Sequence, residues 1–345
     1  MPPPQVSIII ANYNYSAFLR RSIQSALTQT YPNVEVIVVD DGSTDESVET
    51  AKEFAGRVKL LFLQHAGETA GRNAGFAESS GSIVAFLDAD DYLKPEAVAT
   101  VVEQWRPAYS KLQFHLAIVD ERGTERGLLM PRPRLDSGRV DQLLLTTGRY
   151  ITSPGSGNFY ARWLLERIVP VPTDEWPQSF DSYAATYAGF YGEIGAIQAP
   201  LGYYRVHTSN MTRIAVRGKN SVDVSQLERL MSRGRRLRAL IEKIASQLNL
   251  PVADGIVTSH WLYLKLELAH LKLQPQTDRR DIAKCALRMI ASACRASELT
   301  AIRTAELIGW AICTAISPRE AAEPLISISF DLAPQGWIWR VLRRL

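Results

Sequence analysis

The chain has 345 residues, of which 46% are hydrophobic and 22% charged, and its net charge is +3. These proportions describe one large globular domain or two modest ones, and they exclude a disordered chain, a collagen-like repeat and a polyanion binder acting through bulk charge. The total hides a division: residues 1–212 hold 18 Lys and Arg against 24 Asp and Glu, a net −6, whereas residues 213–345 hold 21 against 12, a net +9.

The first 105 residues alternate β-rich apolar runs with helical spacing. Strands are predicted at Val6–Ala11, Val34–Asp40, Val58–Gln64 and Ser82–Asp88, and helices at Ala17–Thr28, Thr44–Ala55, Glu68–Ser80 and Pro95–Trp105. Nearly continuous apolar strands alternating with helices indicate an open α/β sheet buried on both faces. From about residue 112 a strand and turn are predicted over 112–124, a surface loop at Pro131–Arg134, and short helices at Val140–Thr147, Trp163–Ile168 and Phe180–Tyr191. Strands follow at Asn158–Tyr160, Ile194–Gln198 and Gly202–Val206, which closes a first domain at residues 1–212. Residues 213–345 read as an all-α region. Leu227, Leu230, Met231, Leu237, Leu240, Ile241, Ile244 and Leu248 share one helix face, and further helices are predicted at Gly255–Leu273, Arg279–Cys294 and Glu298–Ile316. The apolar stretch Ala305–Ile316 is too short for a bilayer, which needs roughly 20 residues. Cys285, Cys294 and Cys313 have no metal-ligand spacing and are predicted to be buried free thiols. Together with an N-terminus that carries no basic, apolar leader, they point to the cytoplasm.

Ligands of open α/β sheets collect at the carboxyl ends of the strands. There the sequence reads Leu87-Asp-Ala-Asp-Asp91. In an extended backbone Asp88 and Asp90 share a side and Ala89 takes the other, a spacing that lets two carboxylates hold a hard divalent cation against a diphosphate. Asp40 and Asp41 end the second strand; a carboxylate there can accept from a base imide or a ribose hydroxyl, and Ser43 or Thr44 is expected to cap the next helix. Tyr13 offers a face for stacking.

Five segments in order, Val6–Asn14, Ser25–Pro32, Glu35–Asp45, Gly71–Gly75 and Gly81–Asp91, resemble the family 2 glycosyltransferases of the GT-A fold, densely over residues 6–105 and more thinly toward 212. The resemblance implies that Ala11, Tyr13 and Asp41 line a base pocket, that Asp40 positions the nucleoside, and that Arg72, Asn73 and Ala89 border the donor. Asp88 and Asp90 match the family's DXD metal motif for Mn²⁺ or Mg²⁺, and His207, closing the Tyr204-Arg-Val-His207 word, is a further candidate beside the metal or diphosphate. Family members carry Glu-Asp at the start of a late helix, with the Asp as general base; here Phe180-Asp181 stands in that place. Asp181 is therefore the expected base or, with the Glu replaced, only a helix N-cap, with Asp174 and Glu175 as fallback carboxylates. The Ser153–Asn158 segment reads as a flexible loop where the family receives acceptor. His65, His115, His260 and His270 join no constellation.

The resemblance implies inverting transfer of a single hexose from a nucleoside-diphosphate sugar, a UDP-sugar being favoured, to a sugar, lipid-linked or glycan acceptor in bacterial-type polysaccharide or glycolipid assembly. The Gln-x-x-Arg-Trp word of processive members is missing. A catalytically degenerate binder or scaffold of the same fold is the competing reading. A nicotinamide enzyme would need Gly-x-Gly-x-x-Gly after the first strand, which Asn12–Ser16 does not supply. Nucleic acid is not an expected partner. The basic C-terminal helices and the Trp337–Leu345 end suggest peripheral contact with the inner membrane face or a homodimer.

Overall fold

In the computed structural model, which describes residues 3–207, 224–296 and 299–330, the β-branched runs form the middle of one sheet. Strand β1 (Val6–Asn12) pairs in parallel with β2 (Val34–Asp40) on one side and β4 (Ile83–Asp88) on the other, and β3 (Lys59–Phe62) lies beyond β2. Val6, Ile8, Ile9 and Ile10 are all buried, as a strand covered on both faces requires. The covering helices include α1 (Ser16–Leu27), α2 (Ser47–Lys52), α3 (Glu68–Ala77) and α4 (Ala97–Gln104).

Past β4 the sheet turns antiparallel. β8 (Asn158–Ala161) joins β4 to the long β6 (Tyr109–Asp120), β9 (Glu193–Val206) runs parallel to β6, and β5 (Tyr92–Leu93) edges β9. The order is β3-β2-β1-β4-β8-β6-β9-β5, with β7 (Glu125–Met130) as a hairpin on β6. Three helices, α5 (Asp141–Thr147), α6 (Arg162–Ile168) and α7 (Phe180–Tyr191), occur between these strands. Two strands expected at 194–198 and 202–206 are one, because register shifts around His115 absorb Pro200 instead of ending the ladder. The helix expected from Thr44 begins only at Ser47 and is not capped by Ser43 or Thr44. The Ser43 hydroxyl is turned back to Asp40 Oδ2 at 2.7 Å, and Asp45 Oδ1 accepts the Ser47 N–H instead.

A further five helices follow: α8 (Val224–Gln247), α9 (Trp261–Leu273), α10 (Arg279–Arg295), α11 (Ala301–Ile316) and α12 (Arg319–Phe330). Leu264 and Leu268 of α9, Ile282, Cys285 and Met289 of α10 and Leu307 and Ala311 of α11 share one core. α9 starts at Trp261, where His260 Nδ1 accepts the Leu262 N–H as N-cap, and so is shorter than its apolar pattern suggests. Helix α12, with Pro324 inside it, had no sequence signal. Cys285 is buried as expected, but Cys294 and Cys313 are exposed, because the core face of their helices is already filled by Met289, Leu307 and Ala311. Among the described residues no helix is long and apolar enough to cross a membrane. The chain forms two compact units, one from the described residues up to 207 apart from 146–148, together with 243–249, and the other from the rest. The expected domain boundary at 212 and the Trp337–Leu345 end lie outside the described residues.

One carboxylate ties the parallel strands together. Glu35 Oε1 accepts from Ser7 Oγ at 2.6 Å, from the Ser80 and Gly81 N–H groups at 2.5 and 2.9 Å, and from Ser80 Oγ at 2.9 Å. Burial pushes the Glu35 carboxyl up, but these hydrogen bonds outweigh it and hold the group down at about 2. With the folded value depressed, the stabilisation is complete above the ordinary value of 4.5 and is lost as pH falls toward 2. Glu35→Gln is therefore expected to cost about 2 kcal/mol at neutral pH, as loss of charge-assisted hydrogen bonds does. Urea titrations at neutral pH and near pH 3 check it, since the deficit shrinks in acid.

Candidate active site

The strand register sets Asn12 beside Asp40 and Ala11 beside Asp88, so three parallel strands end on one edge of the sheet. Just past β4, Asp88, Asp90 and Asp91 each offer a carboxylate oxygen, and the three lie within 4.8 Å of one another. Each has a partner drawn from far along the chain. Asp88 Oδ1 meets Arg72 Nη2 at 2.5 Å, Asp90 Oδ2 meets His207 Nε2 at 2.9 Å, and Asp91 accepts from Ser156 Oγ at 2.6 Å and the Arg205 N–H at 2.9 Å. Burial raises the Asp88 and Asp91 carboxyls above the usual carboxylate range, and the neighbouring acids add to it. Hard oxygen donors crowded in this way suit Mg²⁺ or Mn²⁺. Asp91 already serves Ser156 and the β9 backbone, which leaves Asp88 and Asp90 as the pair best placed to hold a cation.

Helix α3 brings Arg72 to this edge. A Cβ on Gly75 would run into Ile9 Cγ2, so glycine there lets α3 lie close on β1. The Arg72 guanidinium is buried, with Glu68 Oε1 at 3.0 Å, and its centre is 5.6 Å from the Phe180 ring and 5.9 Å from the Phe86 ring. Burial disfavours its charge, but Glu68, Asp88 and Asp181 together hold it firmly cationic. Phe180, where a Glu is usual in the resembling enzymes, packs against both Phe86 and Arg72, which also meet each other, while Glu68 supplies a carboxylate.

Asp181 lies in the first turn of α7. It is not the N-cap: Ser179 holds that position, with a left-handed φ of 74°, and Asp181 Oδ1 accepts the Ser182 N–H at 2.7 Å. Asp181 acts electrostatically on Arg72, on Asp88 and on Lys111. Lys111 had no sequence signal, since it sits inside an apolar strand. Its fully buried amine meets Gln113 Oε1, Thr152 Oγ1 and Asn158 Oδ1 at 3.0, 2.6 and 3.0 Å. Burial drives this amine well below its ordinary value, and Asp181 pulls it back up. Asp174 and Glu175 are exposed.

The Ser153–Asn158 segment, expected as an open loop, is ordered by its own hydrogen bonds. It forms a buried turn around Gly155–Gly157, pinned by Asn158 Nδ2 on the carbonyls of Ser153, Pro154 and Gly155. A Cβ on Gly155 would lie 3.2 Å from Asp88 Oδ2. Asn73 donates to and accepts from the Val171 backbone at 2.9 Å, which ties α3 to the segment before α7. Ala89 is buried in the core although the extended backbone expected through Asp90 stops at Asp88: residues 89 and 90 form a turn, closed by the Asp91 N–H on the Asp88 carbonyl.

Tyr13, just past β1, is 39% exposed and stacks on His65, just past β3, with 4.0 Å between ring centroids. His65 joined no constellation in the sequence, yet its Nδ1 is 2.9 Å from Asp41 Oδ2. Asp41 also accepts the Ala66 and Gly67 N–H groups at 2.8 Å, and Asp40 accepts from Asn12 Nδ2 and Ser43. Both aspartates therefore hold the loops that frame the Tyr13–His65 stack.

A sequence model described as glycosyl transferase family 2 matches residues 7–155. An uncharacterized glycosyltransferase of Nostoc sp. is 34% identical over 217 residues, which is 60% of this chain and 66% of that protein. Glycosyltransferase GlyA of Streptococcus pneumoniae is 39% identical over 29% of this chain and 15% of its own length, so the chain spans less than two thirds of these relatives. The structure of S. aureus TarS 1-349 aligns over 94% of this chain and 91% of its own at 16% identity, with a TM-score of 0.53. Mannosyltransferase PcManGT from Pyrobaculum calidifontis, in complex with GDP-Man and Mn2+, aligns over 96% and 88% at 18% identity, with a TM-score of 0.50. These two show a shared GT-A fold, and by sequence residues 7–155 belong to glycosyl transferase family 2.

Proposed function

We propose that this chain transfers one sugar, with inversion, from a nucleoside-diphosphate sugar to an acceptor hydroxyl. The observation that carries the reading is the meeting of Asp88, Asp90 and His207 at the end of β4, with Arg72 on Asp88 and Asp181 within their electrostatic reach. Structures of the same fold have been solved with UDP, with UDP-GlcNAc and with GDP-Man and Mn2+. By analogy the donor is a sugar nucleotide, a UDP-sugar being favoured, and the acceptor a sugar, lipid-linked or glycan hydroxyl.

Asp88 and Asp90, with His207 beside Asp90, would hold Mn²⁺ or Mg²⁺; a bound cation neutralises charge on the departing diphosphate. Arg72 fixes the Asp88 carboxylate and adds positive charge at the same edge. Asp181 takes the proton from the acceptor hydroxyl, and a single base with direct displacement inverts the anomeric carbon. Asp40 and Asp41 hold the loops on which the base rests, with Ala11 at the strand end behind them. Tyr13 supplies the stacking face. Asn73 and Ala89 support the site from behind rather than through a free side chain.

A screen of UDP-, GDP- and dTDP-sugars for hydrolysis and transfer, with and without Mn²⁺ or Mg²⁺, tests the reading; no turnover of any donor with either ion would remove it. Tyr13→Ala is expected to weaken the preferred nucleoside diphosphate about tenfold, the scale of one base stacked on an aromatic ring. Isothermal titration of the nucleotide measures this, and an unchanged affinity would place the base elsewhere.

A further inference from the structure

Helix α11 is apolar on two opposite sides. Leu307, Ala311 and Thr314 are buried in the core of the helical unit, as that packing demands. The opposite side, at steps of three and four residues, presents Ile302, Ala305, Gly309, Ile312 and Ile316, all exposed and none charged. Ile302 is 74% exposed and Ile316 77%, and a Cβ on Gly309 would meet nothing within 4 Å. Single exposed apolar residues are ordinary, but an uncharged row the length of a 16-residue helix is a surface that binds something.

The neighbouring helix α10 supplies charge. Its exposed side divides into an apolar row with Leu287, 67% exposed, and a cation row of Arg280, Lys284, Arg288 and Arg295. Arg288 Nη1 lies 3.7 Å from Glu267 Oε2 of α9, which puts the cation row on the α9 side and the Leu287 row toward α11. Besides Glu267, anions at this row include Asp281, 4.0 Å from Lys284, and the N-cap Asp278, whose Oδ1 accepts the Arg280 N–H at 2.8 Å. Going outward from α11, the surface therefore passes from bare isoleucines through Leu287 to a line of cations.

We propose that this face of α10 and α11 docks on an anionic lipid surface, the isoleucines and Leu287 entering the headgroup boundary and the cation row lying against lipid phosphates. Charge complementarity selects the occupant. Cations bordering an apolar strip suit an anionic bilayer, where each basic residue adds to binding and salt weakens it. A second copy of the chain would bring its own cation row into repulsion with this one. The proposal is independent of sugar transfer.

Co-sedimentation of the full chain with phosphatidylcholine vesicles, with and without phosphatidylglycerol, tests it at low and high salt. The wild type is expected to partition at least about tenfold better onto the anionic vesicles at low salt, and to lose that preference at high salt. Ile302→Asp/Ile316→Asp and, separately, Arg280→Glu/Lys284→Glu each reduce partitioning at least about tenfold while helical circular dichroism is unchanged. The charge variant changes only exposed side chains, so its result stands if the isoleucine variant does not fold. Absence of wild-type binding, or binding that survives the charge variant, overturns the proposal. So does a light-scattering dimer that Ile302→Asp/Ile316→Asp makes monomeric, since the face would then belong to a second copy.

Discussion

Replacing Asp90 with alanine is expected to lower sugar transfer by about a thousandfold, the scale of losing one preorganised group that stabilises transition-state charge. Asp90 Oδ2 lies 2.9 Å from Nε2 of the His207 imidazole. Asp88 is already neutralised by Arg72, and Asp91 holds Ser156 and the Arg205 N–H, so neither can take over Asp90's share of a cation. The loss should appear in kcat at saturating Mn²⁺, with Mn²⁺ affinity reduced in parallel and folding intact. An Asp90→Ala enzyme that keeps its rate and its Mn²⁺ requirement would mean that the ion sits elsewhere.

Asp181→Asn carries the second large expectation. The amide keeps the shape and can still accept the Ser182 N–H, but it cannot take a proton, so transfer is expected to fall by about 10²- to 10⁴-fold while donor affinity changes little. Arg72 stays paired through Glu68 and Asp88, which protects the donor side from the substitution. Single-turnover transfer beside equilibrium nucleotide binding separates the two effects. Unchanged transfer in both Asp90→Ala and Asp181→Asn would overturn the mechanism, whereas no transfer by the wild type with any donor would favour the degenerate binder.

How far could these residues be read in advance? Asp88, Asp90, Asp40 and Asp41 were legible because they lie at or just past the ends of strands whose apolar runs announce themselves; alternation did not place Asp90, since β4 stops at Asp88 and a turn follows. The pairing of Arg72 with Asp88 was not: it depends on how closely α3 lies on β1, which Gly75 allows and no local pattern states. The Tyr13–His65 stack joins the loops after β1 and β3, which come near each other only because both strands pair with β2. Lys111 was invisible for a similar reason. An amine inside a strand of apolar character gains meaning only when Gln113, Thr152 and Asn158 surround it.

By itself the sequence determined the alternating strands and helices, the strand-end carboxylates and a basic helical region, since these follow from periodicity and composition within a few residues. Only the tertiary structure decided which carboxylate meets which partner, that Asp181 is not a cap, and that the uncharged side of α11 is left bare. Those facts depend on packing between segments many residues apart, where the hydrophobic effect chooses which face of each element is buried.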